Sequence, residues 1–155
     1  MRLPRAGKTT LSQLLAHRVG AVHLRIDTIE QALRELCTLE VQSEGYRLAY
    51  GVAADNLRLG ISVVADSCNP IELARREWER VATDAGAGYL NIEVVCSDLH
   101  EHRRRVETRL STGHGLRLPT WQDVTARVHD DWTIVSAPPT RPQCVRWCFP
   151  IRLRL

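Results

Sequence analysis

Apolar residues recur along the first part of the chain in helical and strand-like patterns that alternate with each other. Four of them follow the first Gly-Lys pair at helical spacing: Leu11, Leu14, Leu15 and Val19. This spacing predicts a helix that ends at Gly20. The segment AVHLRID, residues 21–27, alternates and includes β-branched residues, which predicts a strand. Asp27 is expected to begin the next helix, with Glu30 three residues on as in a capping box.

The same alternation continues further along the chain. Tyr46, Ala49, Ala53 and Leu57 predict a helix between residues 44 and 59, closed by Gly60. The apolar run ISVVAD, residues 61–66, is typical of a strand covered on both faces. Asn69-Pro70-Ile71-Glu72 is expected to start a helix with Asn69 as its cap. Its buried face is expected to be Ile71, Ala74, Trp78, Ala82 and Ala85. A strand over residues 89–97 and a helix over 98–110 follow.

This order of elements predicts an α/β fold, a three-layer sandwich around a mainly parallel sheet. Ligands of such sheets bind at the carboxyl ends of the strands. Asp27, Asp66, Asn69 and Asp98 each follow a predicted strand, so we expect the functional side chains among them.

Composition limits the classes of protein that this chain can represent. It has 155 residues, enough for one domain, and 44% are hydrophobic. A formal charge of +3 is too small to indicate nucleic-acid binding by itself, although a basic run occurs at residues 102–105. Five scattered cysteines do not suggest a disulfide framework, and we expect a cytoplasmic location. No segment approaches the roughly 18 apolar residues of a membrane span, and no signal-peptide pattern occurs at the N-terminus.

The residues Ala6, Gly7, Lys8, Thr9 and Thr10 resemble the end of a phosphate-binding loop. Such a loop needs inward backbone N–H groups, a lysine for the terminal phosphates and a hydroxyl for magnesium, directly before a helix. The spacing G-x-x-x-x-G-K-[ST] places arginine, at position 2, where the first glycine belongs, and Arg5 stands at a second frequent glycine position. A plain helix start with a solvated lysine is the alternative for so short a motif.

Three blocks together resemble a family of small P-loop kinases that are grouped with the AAA-family ATPases. They are RLPRAGKTTLSQLLAHRVGAVHLRIDTIEQAL, VVADSCNPIELARREWERVA, and VVCSDLHEHRRRVETRL followed by LPTWQDV. The resemblance extends from about residue 3 to about residue 127. Broader relatives are zeta-toxin-like, chloramphenicol-phosphotransferase-like and polynucleotide-kinase-like proteins.

The resemblance implies ATP and Mg²⁺ as ligands and assigns roles to several side chains. Asp27 corresponds to the acidic residue that orients, or takes the proton from, the attacking hydroxyl. Thr9 and Asp66 would support magnesium, with Asp66 as a Walker-B-type carboxylate. The alternatives are a helix cap for Asp27 and an ordinary turn aspartate for Asp66.

Two arginines could supply further positive charge in the transition state. Arg105 and Arg109 are four residues apart and share one helical stripe, so they could close over the phosphoryl group as part of a lid, about residues 98–119. Arg103 and Arg104 point elsewhere and are expected to form a solvated face. Glu101 could instead simply pair with Arg105.

Both ends of the chain depart from the family pattern. A hydrophobic strand in the middle of the sheet usually precedes the phosphate loop, and we expect this first central strand to be missing, through a misplaced start codon or real loss. We divide the chain into a kinase-like domain, residues 1–132, and an irregular C-terminal tail, residues 133–155. Closely spaced prolines in the tail fit either a shifted reading frame near Trp132 or an ordinary irregular segment.

The sequence therefore predicts a kinase that transfers the γ-phosphoryl group of ATP to a hydroxyl of an unknown small molecule, with activity reduced or absent because of the incomplete loop. A non-catalytic or vestigial nucleotide-binding protein is one alternative. A nucleic-acid-binding or polynucleotide-kinase-like protein is another, although the aromatic residues needed for base stacking are sparse.

Overall fold

The computed structural model describes residues 8–37, 40–69, 71–95, 98, 100, 103–104, 107, 136–137 and 147–154. The helices are α1 (Lys8–Val19), α2 (Ile26–Cys37), α3 (Glu44–Arg58) and α4 (Glu72–Asp84). The strands are β1 (Val22–Arg25), β2 (Val63–Asp66), β3 (Gly88–Leu90), β4 (Ile92–Val95), β5 (Ser136–Ala137) and β6 (Trp147–Arg154). Four further described residues are helical, within the helix expected over residues 98–110: His100, Arg103, Arg104 and Glu107.

The strands form one mainly parallel sheet in the order β1-β2-β6-β3-β5, and β4 also pairs with β6. Every pair is parallel except β3 with β5. Successive residues of β2 face opposite sides: Val64 packs with Ala16 of α1, whereas Val63 and Ala65 belong to a core that includes Ala49 of α3. Helices therefore cover both faces of the sheet, and the predicted three-layer α/β sandwich is confirmed.

β6 fills the centre of the sheet, in a part of the chain that was expected to be irregular. It lies between β2 and the β3–β4 segment and is parallel to both. In the family that the chain resembles, the strand that precedes the phosphate loop lies in the middle of the sheet. The pattern around Pro150 did not predict a strand, because proline has no N–H to donate to a ladder and is rare in central strands.

The strand expected over residues 89–97 is divided into β3 and β4 at Asn91. The register with β6 is the same on both sides of this break, since Tyr89 pairs with Cys148 and Ile92 pairs with Ile151. Asn91 therefore lies opposite Pro150. The ladder is interrupted next to the residue that cannot donate to it.

Two helices bury polar or charged residues that the apolar spacing did not predict. In α1 the buried residues are Lys8, Ser12 and Ala16, while Leu11 and Leu14 of the predicted apolar stripe are exposed. In α4 the predicted Trp78 and Ala82 are buried, but so is Arg75, and the predicted Ile71 is 51% exposed. Both buried faces contain polar or charged residues, which a count of apolar positions cannot identify.

Glycines end two of the helices as predicted. Gly20 follows α1 with φ 64°, and Gly60 follows α3 with φ 90°. Both values lie in the left-handed region, which glycine adopts without steric cost. These turns direct the chain into β1 and β2, whose carboxyl ends carry the candidate site.

Candidate functional site

Lys8 is the first residue of α1, at the end of the helix where backbone N–H groups lack partners within the helix. Thr9 follows it and is half-buried, while Thr10 is exposed. The Ser12 hydroxyl donates to the Lys8 carbonyl oxygen at 2.7 Å within the buried face. A helix N-terminus with this sequence is suited to bind an anion.

The Lys8 side chain is buried against Asp66, the last residue of β2. Lys8 Nζ lies 2.5 Å from Asp66 Oδ1, and the exposed fractions of the two side chains are 8% and 0%. His23 of β1 approaches the other carboxylate oxygen, with Nε2 at 3.6 Å from Oδ2. The structure thus brings together two residues that lie 58 positions apart in the sequence.

Charge keeps Lys8 protonated in spite of its burial. Burial alone lowers the pKa of an ammonium group, but the Cys68 sulfur, the Asp66 carboxylate and, more weakly, Asp27 favour the charged form. The net effect is a pKa of Lys8 above its ordinary value. Lys8 is therefore a cation at physiological pH, at the carboxyl edge of the sheet.

Asp27 lies close enough to Lys8 for its charge to act on the ammonium group. It is not the helix cap that the sequence suggested, because α2 begins at Ile26 and Asp27 belongs to the first turn. Arg25 Nη2 is 3.8 Å from Asp27 Oδ2. The half-buried carboxylate remains at the carboxyl end of β1, where the strand pattern had placed it.

Cys68 and Tyr46 also belong to this edge, and the sequence interpretation did not select either of them. Lys8 Nζ is 3.9 Å from Cys68 Sγ. Burial raises the pKa of Tyr46, as does the electrostatic effect of the nearby Cys68 side chain, although a hydrogen bond with the Cys68 backbone N–H opposes the rise. Tyr46 therefore stays a neutral phenol at physiological pH. Its helical spacing predicted only a core contact, whereas Cys68 could have been suspected from its position two residues after Asp66.

Other predicted site residues lie outside the described residues. These are Ala6 and Gly7 of the loop and the arginines Arg105 and Arg109 of the lid. Of their neighbours, Arg103 is exposed and pairs with Glu107 at 2.7 Å, and Arg104 is exposed too. These two arginines form the solvated helix face that was expected.

The donor set around Asp66 fits magnesium held jointly with phosphate. The described residues include no group of three or more His, Cys, Asp or Glu side chains that could hold a metal ion. Mg²⁺ in phosphoryl-transfer sites generally uses one or two protein oxygens together with substrate phosphates and water. Asp66 is a buried carboxylate whose oxygens accept no hydrogen bond from the described residues apart from the ion pairs given above, and Thr9 follows Lys8 in the first turn of α1.

A lysine at the start of a helix, paired with a carboxylate at the end of a parallel strand in an α/β sandwich, is characteristic of P-loop nucleotide-binding proteins. The family comparison agrees with this class. A family model described as an AAA domain matches residues 3–139, most of the chain. The chain therefore belongs to this AAA domain family of P-loop NTPase-like proteins.

No curated protein and no solved structure matches the chain significantly. Among the helices that the structure describes, none has both the length and the apolar character needed to cross a bilayer.

Proposed function

We propose that this chain is an ATP- and Mg²⁺-dependent kinase that transfers the γ-phosphoryl group to a hydroxyl of a small molecule. The observation that carries the proposal is the buried contact of Lys8 with Asp66, with the charge of Asp27 acting on the same ammonium group. A cation, a carboxylate suited to magnesium and a candidate base then share one edge of the sheet. Phosphoryl transfer depends mainly on such positioning and charge compensation.

Each side chain has a proposed part in the reaction. Ala6, Gly7, Lys8, Thr9 and Thr10 bind the phosphates, with Lys8 directed to the terminal ones, and Thr9 and Asp66 hold magnesium. When bound, magnesium would neutralise charge on the phosphate oxygens. Asp27 orients the acceptor hydroxyl and accepts its proton, and Arg105 and Arg109 close over the phosphoryl group.

Nucleotide binding must change the hydrogen bonds of Lys8 within the Lys8–Asp66 pair. In the structure the Lys8 ammonium compensates the buried Asp66 carboxylate. Bound phosphates attract the same ammonium group, so Lys8 divides its hydrogen bonds between Asp66 and the nucleotide. Magnesium bound at Asp66 would compensate the negative charge of the Asp66 carboxylate as Lys8 turns towards the phosphates.

Thermal unfolding with and without MgATP tests the proposal. Saturating MgATP should raise the melting temperature of the wild-type chain by several degrees, because a ligand at about 100 times its Kd stabilises by about 2.7 kcal/mol. Lys8→Ala should abolish this rise, measured against the variant's own melting temperature. Arg18→Ala, which changes an exposed cation at the other end of α1, is the matched control and should keep it. A wild-type chain that MgATP does not stabilise would contradict the proposal.

A nucleotide-binding protein without transferase activity is the second candidate. It is favoured by Arg2 and Arg5, which stand where a phosphate loop usually has glycine. ADP formation in the presence of hydroxyl compounds separates the two functions. A kinase should form ADP, and Asp27→Asn should slow this reaction strongly without changing the thermal shift. Stabilisation by MgATP with no ADP formed would favour the second candidate.

A further inference from the structure

A buried asparagine connects the segment after β2 to helix α4. Asn69 is fully buried, and its Oδ1 accepts two hydrogen bonds, from the Ser67 hydroxyl at 2.9 Å and from the Trp78 indole N–H at 3.2 Å. Trp78 is fully buried in the core and packs edge-to-face on Tyr50, with ring centroids 4.7 Å apart. Asn69 is thus not the helix cap that the sequence suggested, since α4 begins at Glu72 with Ile71 at the cap position.

The amide oxygen is the chemical group that this position requires. The indole N–H can only donate, so a buried tryptophan needs an acceptor. Ser67 donates to the same oxygen, and leaving two buried donors unpaired would be costly. Arg75 Nη1 also donates a long hydrogen bond, at 3.5 Å, to the backbone carbonyl oxygen of Asn69.

The segment that Asn69 fixes is the one that meets Lys8. Asp66, which pairs with Lys8, directly precedes Ser67, and Cys68 lies 3.9 Å from Lys8 Nζ. On one side the segment contacts Lys8, and on the other side it is bound through Asn69 to a helix in the core. Only Ser67 and Cys68 lie between Asp66 and Asn69, so this short segment has little freedom to move.

We propose that Asn69 is a positioning residue: by binding Ser67 and Trp78 through one oxygen, it holds the Asp66–Cys68 segment in the orientation that lets Lys8 and Asp66 receive MgATP. This inference rests on the proposed function, because it assigns to Asn69 the support of the same nucleotide site. Asn69 acts through its neighbours and does not itself touch the nucleotide.

The test measures MgATP affinity by calorimetry at a temperature where each variant is folded, so that lower stability alone does not change the result. Asn69→Ala should weaken MgATP binding by about tenfold or more, a free-energy change of about 1.4 kcal/mol. Asn69→Asp keeps an acceptor oxygen for both donors and is used in the spectroscopic measurement below, since its added buried charge would by itself weaken the binding of an anion. The control is Asn91→Ala, which removes another buried asparagine bound to α4, through Glu79 Oε1 at 2.7 Å, and should leave the affinity nearly unchanged.

A second measurement, by NMR without nucleotide, follows the hydrogen bond directly. The signal of the Trp78 indole N–H group is assigned by its absence in Trp78→Phe. Its chemical shift should change in Asn69→Ala and return towards the wild-type value in Asn69→Asp. If Asn69→Ala does not fold, Ser67→Ala takes its place, because it removes one of the two hydrogen bonds and should give a smaller loss of affinity in the same direction.

The outcomes distinguish this inference from the proposed function. Wild-type MgATP binding that survives unchanged in Asn69→Ala, or in Ser67→Ala where that variant replaces it, would overturn the positioning role and leave the proposed function intact. Equal losses in the Asn69 variant and in Asn91→Ala would also overturn it, because they would indicate a general effect of core damage. No binding by the wild-type chain would overturn the proposed function, and the positioning role with it.

Discussion

At the scale of single residues, the site depends on charges that are buried together. Lys8 and Asp66 are each almost completely withdrawn from water, and neither would be stable there as an isolated charge. Removing one member of a buried pair typically costs about 3–5 kcal/mol, since the other charge is left uncompensated. The lower stability expected of Lys8→Ala is the reason for comparing each variant with its own melting temperature.

Away from the site, another charged residue, Glu44, stabilises the start of α3. Its carboxylate accepts backbone hydrogen bonds from Gln42 at 2.8 Å and Ser43 at 3.0 Å, whereas the Ser43 side chain makes no cap hydrogen bond. Backbone N–H groups, including its own, lower the pKa of Glu44. The side chain that caps this helix therefore comes from inside the first turn.

This lowered pKa predicts a pH-dependent contribution to stability. A carboxyl group whose pKa is lower in the folded state stabilises the fold fully above its unfolded pKa, about 4.3 for glutamate, and loses this effect as pH falls through the folded value. The melting temperature of Glu44→Gln should therefore lie below that of the wild type at pH 7, and the gap should close in acid. Glu40→Gln, also exposed, provides the control. A gap that is the same at pH 7 and in acid would refute this role.

At the scale of elements, two glycines of α3 have different surroundings. A Cβ at Gly45 would lie 2.5 Å from Glu30 Cγ, whereas a Cβ at Gly51 would meet nothing within 4 Å. Glu30 is held by its position on α2, where its side chain is only 13% exposed and pairs with Arg34 at 3.1 Å. At Gly45, next to Tyr46 of the candidate site, α3 therefore leaves no room for a side chain beside α2.

These surroundings predict opposite effects of the same substitution. Gly51→Ala should raise the free energy of unfolding by about 0.5–1 kcal/mol, the helix preference of alanine over glycine. Gly45→Ala should lower it, because overpacking typically costs about 1–3 kcal/mol. Urea denaturation measures both values. In a Glu30→Ala background, which lacks the clashing Cγ, Gly45→Ala should no longer destabilise, and destabilisation that persists there would contradict the contact.

The elements themselves were largely predictable from local pattern. The helix over residues 44–59, the strand ending at Asp66 and the glycine stops are found within a few residues of their expected bounds. The starts of α2 and α4, at Ile26 and Glu72, are also close to their expected positions, but Asp27 and Asn69 are not the caps, and Asn69 binds Trp78 instead. Local propensity gives way where a side chain is needed in a tertiary contact.

At the scale of the whole molecule, β6 joins the two halves of the sheet. It pairs with β2 on one side and with β3 and β4 on the other, so the described sheet is continuous only through residues 147–154. Pairing between strands so distant in sequence is not recorded in the local spacing of either strand. In addition, Pro150 within β6 goes against the pattern of a central strand.

Hydrogen exchange provides a test of this arrangement. Amides of β2 and β6 should exchange in the same slow class, because each strand is paired on both sides and opens only with the entire sheet. Among the described strands, β5 pairs with β3 alone and through two residues, so it should exchange much faster and serves as the internal reference. Rapid exchange of residues 147–154 alongside protected β2 amides would refute a central β6.

By itself, the sequence determined the α/β class, the P-loop-like helix start at Lys8, and the acidic residues at the ends of strands, because each depends on spacing over a few neighbouring residues. Only the tertiary structure decided that Lys8 is buried against Asp66 and Cys68, that Asn69 binds Trp78 rather than capping α4, and that β6 lies in the centre of the sheet. These features join residues far apart along the chain. They are set by packing and by the need to pair buried polar groups, which local periodicity does not record.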